Sequence, residues 1–176
     1  MKMEKSGLVV VSLLIVFLIG MNLWTIKPTE EVLSEAVEVA EQQFQQSAKD
    51  QNQQVDNFSL YVPEGFEVEK QTANNLLLAK EEQTFILFFN ALESQTSRLN
   101  YEAAKEEQED YEWLVSFEDQ NRFGYINIVE HEEQFEVQIG VGGVKVTTIS
   151  AKSELEQDVK DMMDIANSIA YEEGAS

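Results

Sequence analysis

The first hydrophobic feature of the chain is a run of 21 uncharged residues from Ser6 to Ile26. A helix of that length extends about 31 Å, which matches a bilayer hydrocarbon core of about 30 Å. Trp24 falls at the far end, where an indole favours the headgroup layer. Lys2 and Lys5 precede the run and acidic residues follow it. The pattern therefore predicts a single-pass anchor over 6–26, a cytoplasmic tail of residues 1–5, and an extracytoplasmic remainder.

A cleaved signal peptide is the alternative interpretation of this run. Signal peptides have apolar cores of about 7–15 residues, followed by a site with small residues. The run here is longer, and residues 22–26 contain no such site. The sequence favours an uncleaved anchor. Because residues 1–5 are too few to form a cytoplasmic module, any signal to the cytoplasm would pass through a partner or through membrane contacts.

Residues 27–56 have the pattern of an amphipathic helix followed by a polar linker. Thr29 can cap the helix, and acidic residues in the first turn favour the helix dipole. Four apolar residues recur at spacings of four, three and four: Leu33, Val37, Ala40 and Phe44. Only about two heptads are present, and a glutamine-rich stretch follows. We expect a solvated spacer helix over 27–56, with a weakly homodimerising stalk as the alternative.

From Asn57 the pattern changes to that of strands and tight turns. A short strand, Phe58–Val62, ends at the turn Pro63-Glu64-Gly65. Residues 75–80 and 84–89 flank a polar turn and predict a hairpin. Its second arm is apolar at consecutive positions, which predicts a central strand covered on both faces.

The second half of the domain predicts a polar segment, four more strands and a closing helix. Residues 94–110 are rich in Glu and include a short exposed helix around 99–105. Alternating apolar residues then predict strands near 111–117, 123–129, 135–141 and 144–149, the last two joined by Gly142-Gly143.

The closing helix has one apolar side and one acidic side. Ser153 and Glu156 form a capping-box pattern. The apolar side is expected to lie across the sheet; it comprises Leu155, Val159, Met162, Met163, Ala166 and Ile169. Opposite it lies an acidic side; it comprises Asp158, Asp161 and Asp164. The two methionines fit core packing better than cofactor ligation.

These elements predict an α+β domain over 57–176, in which a multi-stranded antiparallel sheet is packed by the C-terminal amphipathic helix. With its opening Tyr61, Pro63, Gly65 and Phe66, this organisation resembles the PsbP/Mog-type α/β fold over about residues 57–170. It is also similar to small membrane-anchored extracytoplasmic proteins of Gram-positive bacteria. The resemblance implies a non-catalytic accessory or assembly role.

Charge and composition narrow the function further. The chain has 33 acidic and 12 basic side chains, a net charge of −21. Such a chain repels phosphate backbones, so nucleic-acid binding is excluded. The absence of Cys excludes disulfides, thiolate metal sites and cysteine nucleophiles.

Three local patterns could carry chemistry, and each has a simpler structural interpretation. His131, the one histidine, lies among carboxylates and would suit a pH sensor, but a lone turn histidine is usually solvated. Gly140–Gly143 superficially resembles a phosphate loop, but a strand rather than a helix follows. The densest acidic run lacks the spacing of an EF-hand and fits an exposed helix better; it comprises Glu106, Glu107, Glu109, Asp110 and Glu112.

We therefore expect no enzyme activity, no cofactor and no metal site. The predicted function is a membrane-tethered extracytoplasmic interaction or assembly module with a protein partner outside the cytoplasm. The alternatives are an extracytoplasmic sensor of a ligand or divalent cation, and a surface hydrolase that uses two carboxylates.

Overall fold

The computed structural model describes residues 27–55, 58–107 and 113–169. Over these residues the chain is an α+β structure. Its helices are α1 (Thr29–Gln45), α2 (Leu99–Glu107) and α3 (Leu155–Ser168). Its strands are β1 (Gln53–Gln54), β2 (Ser59–Leu60), β3 (Phe66–Gln71), β4 (Asn75–Lys80), β5 (Gln83–Phe89), β6 (Leu114–Glu118), β7 (Phe123–His131), β8 (Gln134–Val141) and β9 (Val144–Ala151).

Seven of the strands form one antiparallel sheet in the order β3-β4-β5-β9-β8-β7-β6, while β1 and β2 form a separate pair. The predicted β4–β5 hairpin is confirmed, with the turn residue Glu81 at φ 56°. The predicted Gly142-Gly143 turn joins β8 to β9, with Gly142 at φ 55°. Glycine adopts that backbone conformation at little cost, so this turn can be as tight as the hairpin requires.

The core lies on one face of the sheet, under α1 and α3. Alternate residues of the central strands are buried there, including Phe85, Leu87, Val137, Ile139 and Val146. The predicted apolar side of α3 is buried on the same core. This arrangement confirms the expected antiparallel sheet packed by a C-terminal helix.

The opposite face of the sheet is only partly covered. Tyr101 of α2 packs against the Phe123 and Tyr125 rings of β7. Further along the sheet, Ile86 is 48% exposed and Ile149 is 44% exposed. The prediction that the β5 strand is covered on both faces is therefore wrong, because no helix among the described residues packs over Ile86.

Helix α1 differs most from its prediction. Instead of standing apart as a solvated spacer, it packs beside α3 and over β6 and β7. Three residues of its predicted heptad stripe, Leu33, Ala40 and Phe44, are buried in the same core as the sheet residues. The stripe that suggested a homodimerising stalk is therefore covered by the chain's own fold.

Helix α3 also differs in two details. It begins at Leu155 after Glu154, with no side-chain capping hydrogen bond, so the predicted capping box of Ser153 and Glu156 is not formed. The side opposite an apolar stripe ordinarily faces solvent, but Asp158, Asp161 and Asp164 on that side of α3 are buried.

The predicted anchor (6–26) and tail (1–5) lie outside the described residues. Across the three described ranges, no helix has both the length and the apolar character needed to span a membrane.

Candidate functional site

The most polar part of the core lies at one end of the sheet. Four polar residues point to the helix-covered face, where period-two alternation would otherwise place apolar residues: Lys80, Gln83, Thr148 and Ser150. Lys80 and Gln83 are paired across the β4–β5 hairpin, and β9 places its two hydroxyls beside them. These side chains meet the first two turns of α3.

Asp158 of α3 is the centre of this network and is fully buried. Its Oδ2 accepts hydrogen bonds from Ser150 Oγ at 2.7 Å and from Gln83 Nε2 at 2.7 Å. Its Oδ1 lies 3.5 Å from Lys80 Nζ. Because both carboxylate oxygens are engaged, the cost of burying the charge is offset inside the protein.

Asp161, one turn further along α3, shares the same cation. Lys80 Nζ donates to Asp161 Oδ2 at 3.1 Å, and Gln157 Nε2 donates to Oδ1 at 2.8 Å. Partial burial acts to lower the pKa of Lys80, but the hydrogen bond and Coulomb attraction of Asp161, together with Asp158, raise it above its ordinary value. Lys80 is therefore held charged, and the network fastens α3 to the β4–β5 hairpin.

An open groove of about 830 Å³ lies against this network. Residues from both faces of the sheet line it: Lys80, Glu81, Glu82, Gln83, Thr84, Gln134, Ile149, Ala151 and Glu154. Among the described residues that line the groove, Lys80 is the only cation, and its charge is already shared by the two aspartates. Three carboxylates remain on the walls, so the groove presents negative charge to any ligand.

A second concave region, of about 610 Å³, includes Arg122. Its guanidinium donates to Asp119 Oδ2, to Asn167 Oδ1 at 3.1 Å and to the Phe44 carbonyl at 2.8 Å. Asn167 in turn donates to the Gln43 carbonyl at 3.0 Å. Arg122 therefore satisfies the C-terminal end of α1 and joins it to α3, which is a structural role.

The candidates from the sequence are dispersed. His131 ends β7 and is exposed, with its Nε2 3.7 Å from Glu136 Oε2. Glu106 and Glu107 are exposed on α2, and the other three acids of that run lie outside the described residues. Over the described ranges, no three His, Asp or Glu side chains come together in a way that could hold a metal ion.

Sequence reasoning missed the Lys80–Asp158 network. The signal was present in the strand alternation, because Lys80 and Gln83 continue the inward-facing series of Leu78 and Phe85. Polar residues at inward positions imply buried hydrogen-bonding partners. Their partner could have been sought on the acidic side of the closing helix.

Comparison with known proteins gave no relative: neither a family model, nor a curated protein, nor a solved structure matches the chain.

Proposed function

We propose that the protein is a membrane-tethered, non-catalytic extracytoplasmic module that binds a membrane or envelope protein. The observation that carries the proposal is the position of α1. It begins at Thr29, only two residues after the predicted anchor ends at Ile26, and it is buried in the core. A folded domain joined so closely to an anchor is confined near other membrane proteins, which raises its effective concentration for them.

The charge of the molecule supports a basic partner. Within the described part of the chain, five basic side chains form ion pairs with the chain's own carboxylates: Lys27, Lys80, Arg98, Arg122 and Lys160. Ion pairs within the chain therefore occupy many of its few basic side chains. The excess of 33 acidic over 12 basic side chains remains. Such a surface attracts cationic partner faces and repels anionic ones, and added salt weakens the association.

The resemblance of the element order to the PsbP/Mog-type fold agrees with this role, since members of that fold are mostly accessory or assembly proteins. The seven-stranded antiparallel sheet with a closing helix is compatible with it.

Cross-linking in intact cells tests the proposal. The full chain should capture a specific membrane or envelope protein, and a variant that retains residues 1–26 without the domain should not. Protease added outside protoplasts should also remove the domain. If a soluble domain restores a deletion phenotype as well as the full chain does, tethering has no function and the proposal is wrong.

A sensor of divalent cations is the second candidate, because Glu81, Glu82 and Glu154 line one groove. Dispersed carboxylates bind such ions weakly and without fixed stoichiometry. Calorimetry of the full chain in detergent with calcium and magnesium separates the two functions. A single saturable site at micromolar affinity that is lost in Glu81→Gln/Glu154→Gln would favour the sensor.

A further inference from the structure

The first residues of both long helices lie at the same end of the strands. Lys152, just before α3, donates from Nζ to Thr29 Oγ1 of α1 at 3.1 Å. The strand register places the Glu81-Glu82 and Glu132-Glu133 turns at this same edge, where β9 ends. We call this end of the strands the proximal edge; it is defined by Thr29, Glu81-Glu82, Glu132-Glu133 and 152–154.

The C-terminal ends of the same two helices lie at the opposite end of the strands. Arg122, in the β6–β7 turn, contacts the C-terminal ends of both α1 and α3. The Gly142-Gly143 turn and the start of β7 lie at this edge too. Helices α1 and α3 therefore run parallel, and both point away from the proximal edge.

The tether places the proximal edge against the membrane, an argument that rests on the anchor in the proposed function. Lys27 and Pro28, the two residues between anchor and α1, span at most about 7 Å. Lys27 is folded back along α1, with its Nζ 2.6 Å from Glu35 Oε2. α1 cannot separate from the domain to act as an extension without exposing its buried residues, Phe44 among them.

The proximal edge is acidic, because its five glutamates outnumber its one cation, Lys152, and the groove is its concave part. Glu81, Glu82 and Glu154 line the groove, while Glu132 and Glu133 lie in the neighbouring turn. Such an edge repels anionic headgroups. A cationic protein segment at the same level above the bilayer would be attracted, over a screening length of about 8 Å.

We propose that the proximal edge, with its groove, is a docking surface for a lysine- or arginine-rich extracytoplasmic segment of an integral membrane protein beside the anchor. The anchor restricts the partner to the membrane surface, and the negative charge of the proximal edge selects a cationic segment. The groove provides a concave surface to which that segment can bind. This inference deepens the proposed function by stating the surface and the chemistry of the partner.

Photo-cross-linking in vesicles tests the docking surface. The chain contains no cysteine, so Gln134→Cys in the groove and Asn121→Cys at the opposite edge each give one attachment point for a benzophenone maleimide. Each labelled full-length protein is reconstituted in phosphatidylcholine vesicles with single-pass peptides that differ only in a lysine or glutamate outer flank. We expect position 134 to capture the lysine-flanked peptide about tenfold more than the glutamate-flanked one. Position 121 should capture little of either.

Charge variants then show which residues cause the preference for the lysine-flanked peptide. The triple variant Glu81→Gln/Glu82→Gln/Glu154→Gln should abolish that preference. The control Glu64→Gln/Glu102→Gln/Glu106→Gln removes the same charge from exposed residues outside the groove and should retain the preference. Circular dichroism confirms that both variants fold.

The remaining outcomes separate a failure of the docking surface from a failure of the anchor. Equal capture of both peptides at 134, comparable capture at 121, or adducts with lipid alone would overturn the docking surface while leaving the tether intact. A protein that fails to float with the vesicles would instead refute the anchor, and with it the proposed function.

Discussion

At the scale of single residues, Asp158 is the side chain whose replacement should cost most. In Asp158→Asn, an amide that is partly a donor would meet the Ser150 and Gln83 donors, and Lys80 would lose one of its two anions. Breaking one partner of a buried charge network costs about 3 kcal/mol of unfolding free energy. Urea denaturation should show that loss. Glu156→Gln, on an exposed position of the same helix, should change stability by less than about 0.5 kcal/mol. Equal effects of the two substitutions would contradict the network.

Tyr125 gives a prediction of the opposite sign. Its hydroxyl is buried and has no hydrogen-bond partner among the described residues. Burial, and then the nearby Glu107 carboxylate, raise the pKa of Tyr125. A pKa raised on folding contributes stability below the unfolded value of about 10, and that stability is lost as pH rises above it.

We therefore expect Tyr125→Phe to be neutral or to stabilise the fold by about 1 kcal/mol at neutral pH, since it removes an unsatisfied hydroxyl. The substitution should also make the loss of stability above about pH 10 smaller. Part of that loss should remain, because the pKa of Lys80 is also raised in the folded protein. Urea midpoints measured from neutral to alkaline pH check both effects. A destabilised variant would indicate a hydrogen bond to the hydroxyl.

At the scale of elements, α1 provides the clearest test. Phe44 is 1% exposed, its ring lies 5.9 Å from that of Phe117, and the Arg122 guanidinium lies 4.7 Å from its centroid. Phe44→Ala should cost about 3–5 kcal/mol of unfolding free energy, as expected for a large side chain removed from a packed core. Glu41→Ala, on an exposed position of α1, is the matched control. A solvated spacer helix would tolerate both changes equally.

The sequence predicted most elements because strand alternation and short turns are local properties. It also identified the apolar stripe of α1, but not what covers that stripe. A stripe of Leu33, Ala40 and Phe44 fits a helix partner in another chain as well as it fits α3. The burial of Asp158 was missed for the same reason, since helical periodicity cannot show that Lys80 approaches from a strand 78 residues away.

At the scale of the whole molecule, the short connection between the predicted anchor and α1 should determine which partners the domain reaches. A twelve-residue Gly/Ser insertion after Ile26 adds a flexible span of about 20 Å, more than twice the screening length. The fold should be unchanged, because the insertion precedes α1 and every described contact. Capture of the lysine-flanked peptide from position 134 should fall several-fold, since the acidic edge is no longer held at the membrane surface. The same twelve residues appended after Ser176 should have no effect. Undiminished capture after the Ile26 insertion would mean that the groove finds its partner without help from the tether, and the close attachment of α1 would then need another explanation.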